Sequence, residues 1–211
     1  MEIHAHVPKA GKTAAHWLLE GLFIVVSVAL AFGAGEYCEY RANRELAARI
    51  LESLRAEVEH NVAILEPLVP VHEKWAGALA KADASNGNQS GFDVFFATVP
   101  KLPAGTQSVF PILRRSAWDA ALSGGGVRLL DYALVAALSE IYDLQEIAGG
   151  NVVRLAAGPF VSTETFDYAN GAASVRMLRV NVANIYSSEV VLLDLYRKHL
   201  PAIRAAANAD P

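Results

Sequence analysis

The sequence predicts an all-α protein, with an N-terminal transmembrane helix continuing into an antiparallel helical bundle. Residues 17 to 37, WLLEGLFIVVSVALAFGAGEY, hold no charge between Glu20 and Glu36. From Tyr37 onward apolar residues recur at alternating steps of three and four, the period of one helix face. Only one stretch, FDVFFATV, has strand-like composition, so a sheet would lack a second strand.

The opening helix is judged first on length. At about 1.5 Å per residue, Trp17 to Tyr37 covers roughly the 30 Å of a bilayer's hydrocarbon core. Trp17 and Tyr37 stand where the two interfaces favour an aromatic ring with a polar handle. Leu22, Phe23, Ile24, Val25, Val26, Val28, Leu30 and Phe32 supply the lipid-facing apolar surface. Glu20 lies within one turn of Trp17, near the headgroups rather than the bilayer centre. A soluble core helix would keep a polar edge, and this one is apolar all round. A cleaved signal peptide is the rival, since Lys9 and Lys12 precede the run and AFGAG offers small residues for cleavage. The helical pattern passes Gly35 without a break, which favours a retained span. Ser27, Ala31 and Gly35, spaced by four, form a small-residue stripe that either reflects how common Gly and Ala are in membrane helices or lets a second helix approach, in a homo-oligomer or with a membrane-protein partner.

A three-four seam can then be written through Tyr37, Tyr40, Arg44, Ala47, Leu51, Leu54, Val58, Asn61, Leu65 and Leu68. Arg41 with Glu45, Glu45 with Arg49 and Arg55 with Glu59 are spaced to pair along the surface. Pro67 and Pro70 are expected to end or kink the helix, and Val71, Trp75 and Leu79 resume a stripe. DASNGNQSG reads as a loop. FDVFFATV reads as a further loop packed on the bundle through Phe92, Phe95 and Phe96. A helix is expected from Pro111, capped by Ser108, to the glycines at Gly124. The next opens at Asp131 as N-cap and ends at Gly149 and Gly150. Residues 152 to 168 read as partly helical, broken at Gly158-Pro159, with a turn at YANG. The last helix, about Ala172 to Leu200, should bury Val175, Leu178, Val182, Ile185, Leu192 and Tyr196 and stop at Pro201. The domain plan is a basic tail at 1–15, a span at 16–36, a bundle at 37–205 and a frayed tail at 206–211.

Composition bounds function. The apolar fraction of 53% and the charged fraction of 19% both depart from soluble averages in the direction a membrane segment causes. A net charge of −4 gives no electrostatic reason to expect nucleic acid. One cysteine, Cys38, excludes an intrachain disulfide and an all-cysteine metal cluster. KAGKT ends like a phosphate-binding loop, but His6 stands where the pattern needs glycine and no strand precedes it. Glu57 and His60 have the Glu-x-x-His spacing of carboxylate-bridged dimetal bundles, yet no second copy exists. They read as exposed charged residues beside the seam, and His72 and His199 as isolated. Asn61, polar within the seam, either fixes register between copies or is satisfied inside one bundle. No nucleophile elbow is present. The residues therefore predict no catalytic, cofactor or metal site and no enzyme. The expected partners are the lipid bilayer and another protein. A pocket lined by Trp118, Tyr142 and Tyr168 would instead favour a sensor-like bundle holding a small ligand.

Basic residues flank the span on both sides: Lys9 and Lys12 before it, Arg41, Arg44 and Arg49 after it. The orientation taken is the signal-anchor one, with the short N-terminal tail cytoplasmic. Three stretches, LLEGLFIVVSVALAFGAGEYCEYRANRE, LESLRAEVEHNVAIL and SAWDAALSGGGVRLLDYALVAALSEIYD, resemble a family of small bacterial membrane-anchored proteins known as a domain of unknown function. Members often carry Trp-Asn-Glu just after the span, where this chain has Tyr37-Cys38-Glu39. The resemblance implies a bacterial membrane protein and brings no activity; the inner membrane is the expected location.

Overall fold

The computed structural model describes residues 14–85, 89–104, 106, 108–157 and 167–208. Among these the chain is all-α, as expected. Helices α1 (Ala14–Ser85), α2 (Gly91–Thr98), α3 (Ser116–Ser123), α4 (Tyr132–Ala157) and α5 (Gly171–Ala207) are joined by 3-10 turns at Gly126–Leu129 and Tyr168–Asn170. The chain divides into two compact units, Met1–Glu45 and Leu46–Pro211.

In the first unit, the large apolar side chains from Trp17 to Tyr37 are 47–75% exposed, so no face of the helix is packed. α1 is the one helix among the described residues that is long and apolar enough to cross a membrane. The Ser27 hydroxyl donates to the Phe23 carbonyl at 2.7 Å, which satisfies it within its own helix. The Arg41–Glu45 pair forms at 3.4 Å on the solvent side. Lys9 and Lys12 lie outside the described residues.

In the second unit three long helical segments build the core. Glu57 and Asn61 on α1 meet Tyr142 and Gln145 on α4 in the same order, so these helices run parallel. Asn61, His72 and Asp83 meet Tyr196, Glu189 and Arg179 on α5 in reverse order, so α5 is antiparallel to α1. The long connection needed between parallel helices carries α2 and α3. One apolar cluster joins Leu54, Val58 and Leu65 to Trp118, Leu138, Ile141, Leu192 and Tyr196. A second joins Trp75 and Leu79 to Phe95, Leu155, Leu178, Val182 and Ile185.

Local expectations differ from this structure in four places, where tertiary contacts override local preference. Pro67 and Pro70 do not end α1, and Pro201 does not end α5. All three prolines face solvent, so the carbonyls they leave unpaired at Ala63, Glu66 and Arg197 are on the exposed side as well. FDVFFATV is a helix rather than a loop: the Ser90 hydroxyl caps it by accepting from the Asp93 N–H at 3.1 Å, and Val94 and Phe95 are buried. Phe96 stays exposed. α4 continues through Gly149 and Gly150 because Ala148, Asn151 and Leu155 keep their buried face. The helix expected from Pro111 begins only at Ser116, and Ser108 accepts instead from the Phe110 N–H at 3.0 Å. Asp131 does cap α4, accepting from the Ala133 and Leu134 N–H groups. The break expected at Gly158-Pro159 lies outside the described residues. So does the tail from 209 onward, while residues 206 and 207 are still helical.

Two glycines are required by geometry. Gly125 sits at φ 66°, the left-handed turn after α3. A Cβ on Gly171 would lie 2.1 Å from the Gln89 carbonyl oxygen, so only glycine lets α5 begin against that backbone.

Candidate functional site

Residues 109 to 115 form no helix, and exposure along 112 to 115 alternates residue by residue, the period of an extended chain. This segment runs antiparallel along α1. Three polar side chains of α1 hold it, and each meets the backbone.

Glu57 comes first. The expectation of an exposed carboxylate is corrected: Glu57 is 5% exposed. Its Oε2 accepts from the Ala117 N–H at 2.8 Å and the Ser116 hydroxyl at 3.1 Å. Its Oε1 accepts from the Tyr142 hydroxyl at 2.7 Å and the Trp118 N–H at 3.4 Å. Arg115, the N-cap residue of α3, makes no side-chain cap. A carboxylate from another helix therefore caps α3, where unpaired N–H groups and the helix dipole both favour negative charge. Burial, then the hydrogen bond to Glu57, pushes the Tyr142 hydroxyl well above the ordinary phenol range, so it stays a donor. His60, by contrast, is only half-buried. No group of three or more His, Cys, Asp or Glu side chains with metal-holding geometry occurs among the described residues.

Asn61 lies one turn further and is fully buried. Its Oδ1 accepts from the Arg114 N–H and its Nδ2 donates to the Arg114 carbonyl, both at 2.8 Å. The amide thus pairs with one residue's backbone as a neighbouring strand would. Nδ2 also lies 3.3 Å from Gln145 Oε1 and 3.2 Å from the Tyr196 hydroxyl. Tyr196 donates to Gln145 Oε1 at 2.6 Å, and Gln145 Nε2 donates to the Arg114 carbonyl at 2.9 Å. Asn61 is therefore satisfied inside one bundle. Burial pushes the Tyr196 hydroxyl upward too.

His72 corrects the reading of an isolated histidine. It is fully buried, with Nε2 2.8 Å from the Val109 carbonyl and Nδ1 2.5 Å from Glu189 Oε2. A carbonyl only accepts, so Nε2 carries a proton. A second proton must then lie between Nδ1 and the carboxylate, held by one or the other. Either way the pair is neutral overall, which is how a carboxylate 3% exposed is tolerated. The pair falls between the two apolar clusters along both α1 and α5.

A cavity of about 340 Å³ opens between α1, the extended segment and α4. Leu65, Pro111, Ile112, Leu113, Ala148, Gly149, Val152 and Val153 line it with apolar surface. Gln145 and Glu189 are its buried polar groups, and Arg115, paired with Glu146 at 3.1 Å, also contributes. The hydrogen bonds to Glu146 and Asp119 hold the Arg115 guanidinium above its ordinary range.

The pocket expected from Trp118, Tyr142 and Tyr168 does not form. Trp118 and Tyr142 stack in the core at 5.2 Å with ring planes 4° apart. Tyr168 is exposed, beside α5, and hydrogen-bonded to Asp93. Sequence reasoning placed Asn61 in the seam but missed Glu57, His72, Gln145 and Glu189. A signal existed for two of them. His72 stands four after Leu68 and three before Trp75, and Glu189 four after Ile185 and three before Leu192. Both occupy core positions of their helices.

Comparison of the chain with protein-family models, with curated proteins and with solved structures found no match.

Proposed function

We propose that this chain is a single-pass membrane protein whose helical bundle acts through contacts, as a scaffold or assembly partner, rather than by catalysis. The observation that carries the proposal is the apolar surface from Trp17 to Phe32, exposed on every face of α1. Full burial of a Leu, Ile, Val or Phe side chain is worth about 1.5–3 kcal/mol. The exposed set therefore favours lipid over water by an amount on the order of 10 kcal/mol or more. One glutamate at the bilayer centre would oppose this by roughly 3 kcal/mol, and less near an interface, so insertion wins. The setting proposed is a bacterial inner membrane with the N-terminal tail cytoplasmic, in keeping with the family resembled.

In the second unit the buried polar groups Glu57, Asn61, His72, Gln145 and Glu189 bond one another or nearby backbone. That supports a structural role for them. Apolar side chains left outside, Ile112 and Val153 above all, support contact with another molecule.

The test is alkaline carbonate extraction of native membranes followed by protein crosslinking and pull-down. The full chain is expected to remain with the membrane pellet and to capture a specific protein or a second copy of itself. Release into the supernatant, or a mature chain beginning after Phe32, would overturn the anchor. A bundle that captures nothing but turns over a substrate would overturn the contact reading.

The second reading, a sensor-like bundle with a small ligand, is favoured by one observation, the 340 Å³ cavity with two buried polar groups.

A further inference from the structure

We infer that this cavity binds a small, neutral, mostly apolar molecule that carries a hydroxyl or amide N–H, with Glu189 as the acceptor for that donor. The inference rests on the small-ligand reading and is independent of the membrane anchor.

The volume and the apolar lining fit a small-molecule site, in which a few placed polar groups fix orientation. Glu189 and Gln145 are 3% and 6% exposed, so both are held by the fold and already desolvated. Protonation selects the ligand's charge. Glu189 is balanced by the proton it shares with His72. A cationic ligand would leave a net positive charge among buried groups, and an anionic one a net negative charge. A neutral donor adds neither. Glu189 Oε2 faces His72, and a carboxylate has lone pairs beyond that contact with which to accept a hydroxyl.

Gly149 supplies an independent observation. It stands inside α4, where glycine is about 0.5–1 kcal/mol worse than alanine. Neither a left-handed backbone nor crowding requires it, because a Cβ built there meets nothing within 4 Å. Gly149 lines the cavity, and its missing side chain keeps that space open. Ile112, 92% exposed, and Val153 also line the site, giving it apolar lips.

The experiment uses the full chain in lipid nanodiscs with methyl-labelled isoleucine and valine. Three probes of nearly equal shape are titrated: benzyl alcohol, toluene and benzylammonium. The inference expects saturable shifts of the Ile112 and Val153 methyl signals with benzyl alcohol. Toluene, which has no donor, should bind about tenfold more weakly, the worth of one hydrogen bond, and benzylammonium more weakly as well, because it brings a charge to buried groups that are already balanced. Gly149→Leu should abolish the shifts without lowering the melting temperature. Val153→Trp, which covers an exposed lip and leaves the core alone, should weaken them too. Equal binding of toluene would overturn the role of Glu189. Tighter binding of benzylammonium would overturn the neutral class. Shifts that never saturate, or that survive in both variants, would overturn the site, while carbonate extraction of the same chain reports on the anchor separately.

Discussion

Replacing Glu57 with leucine removes the acceptor that four groups share. The Ser116 hydroxyl is near solvent and can turn to water. The Trp118 N–H is the most distant of the four, at 3.4 Å, and its loss adds little; the part-buried Ala117 N–H and the buried Tyr142 hydroxyl each then lack a partner. An enclosed unpaired polar group is worth about 1–3 kcal/mol of destabilisation, and the loss of the helix cap is contained in that figure rather than added to it. Two such groups give roughly 4 kcal/mol, and the leucine side chain recovers about 1 kcal/mol by burying apolar surface. The expected net loss is about 3 kcal/mol. Glu57→Gln should cost only about 1 kcal/mol, since its carbonyl still meets Ala117 while its amide can donate to the Tyr142 oxygen. Tyr142→Phe should cost about 2 kcal/mol alone and nothing in the Glu57→Leu background, where the hydroxyl it deletes has no acceptor. Urea unfolding of the full chain in mild detergent measures all four variants, with tryptophan fluorescence as the signal because Trp118 stacks on Tyr142. Equal losses for Gln and Leu, or additive losses for Leu and Phe, would refute the shared-acceptor account of α3's placement.

Three further outcomes are expected. Asn61→Leu should lower stability by about 2 kcal/mol with no change in oligomeric state, because it orphans the Arg114 N–H; raised stability with a loosened oligomer, seen by urea titration and light scattering, would instead assign Asn61 to register. His72→Leu should cost about 3–5 kcal/mol by leaving Glu189 buried without its partner, and the double variant with Glu189→Leu should recover most of that loss on thermal unfolding. Tyr142 and Tyr196 have hydroxyls raised above the unfolded phenol value near 10, so the folded state keeps protons that the unfolded chain gives up. Their stabilisation is complete below pH 10 and is lost as pH rises beyond it, at up to about 1.4 kcal/mol per pH unit for each group. Tyr142→Phe should make the fall in urea midpoint between pH 9.5 and 11 shallower, and an unchanged slope would exclude the phenol as its source.

Much of the fold was legible because burial follows periodicity. Val175, Leu178, Val182, Ile185, Leu192 and Tyr196 were expected inside α5 from their spacing, and all are buried. The misses at helix breakers share one physical cause. A breaker such as Pro67, Gly150 or Pro201 acts on a single residue's backbone, and the buried face around it outweighs that local preference. The extended segment was illegible for the opposite reason. Within residues 109 to 115 only Pro111 biases the chain, by disfavouring helix at Phe110; the rest of the decision lies in Glu57, Asn61 and His72, 37 to 60 residues away along the chain. Ionisable residues at core positions, Glu57 and His72, look like surface in the sequence because their partners, Tyr142 and Glu189, cannot be paired with them from spacing alone.

The extended segment also sets an order of events in time. Its anchors come from α1, α4 and α5 together, through Asn61, Gln145 and the histidine that Glu189 steadies. The direct bonds come from α1 and α4 and the histidine is steadied from α5, so the stretch is expected to settle fully once the long helices have docked. It is expected to be the last part of the second unit to mature and the first to open on partial unfolding. Amide hydrogen exchange should show Arg114 and Ala117 exchanging through an opening shallower than the global one, a latch seated after the frame is built.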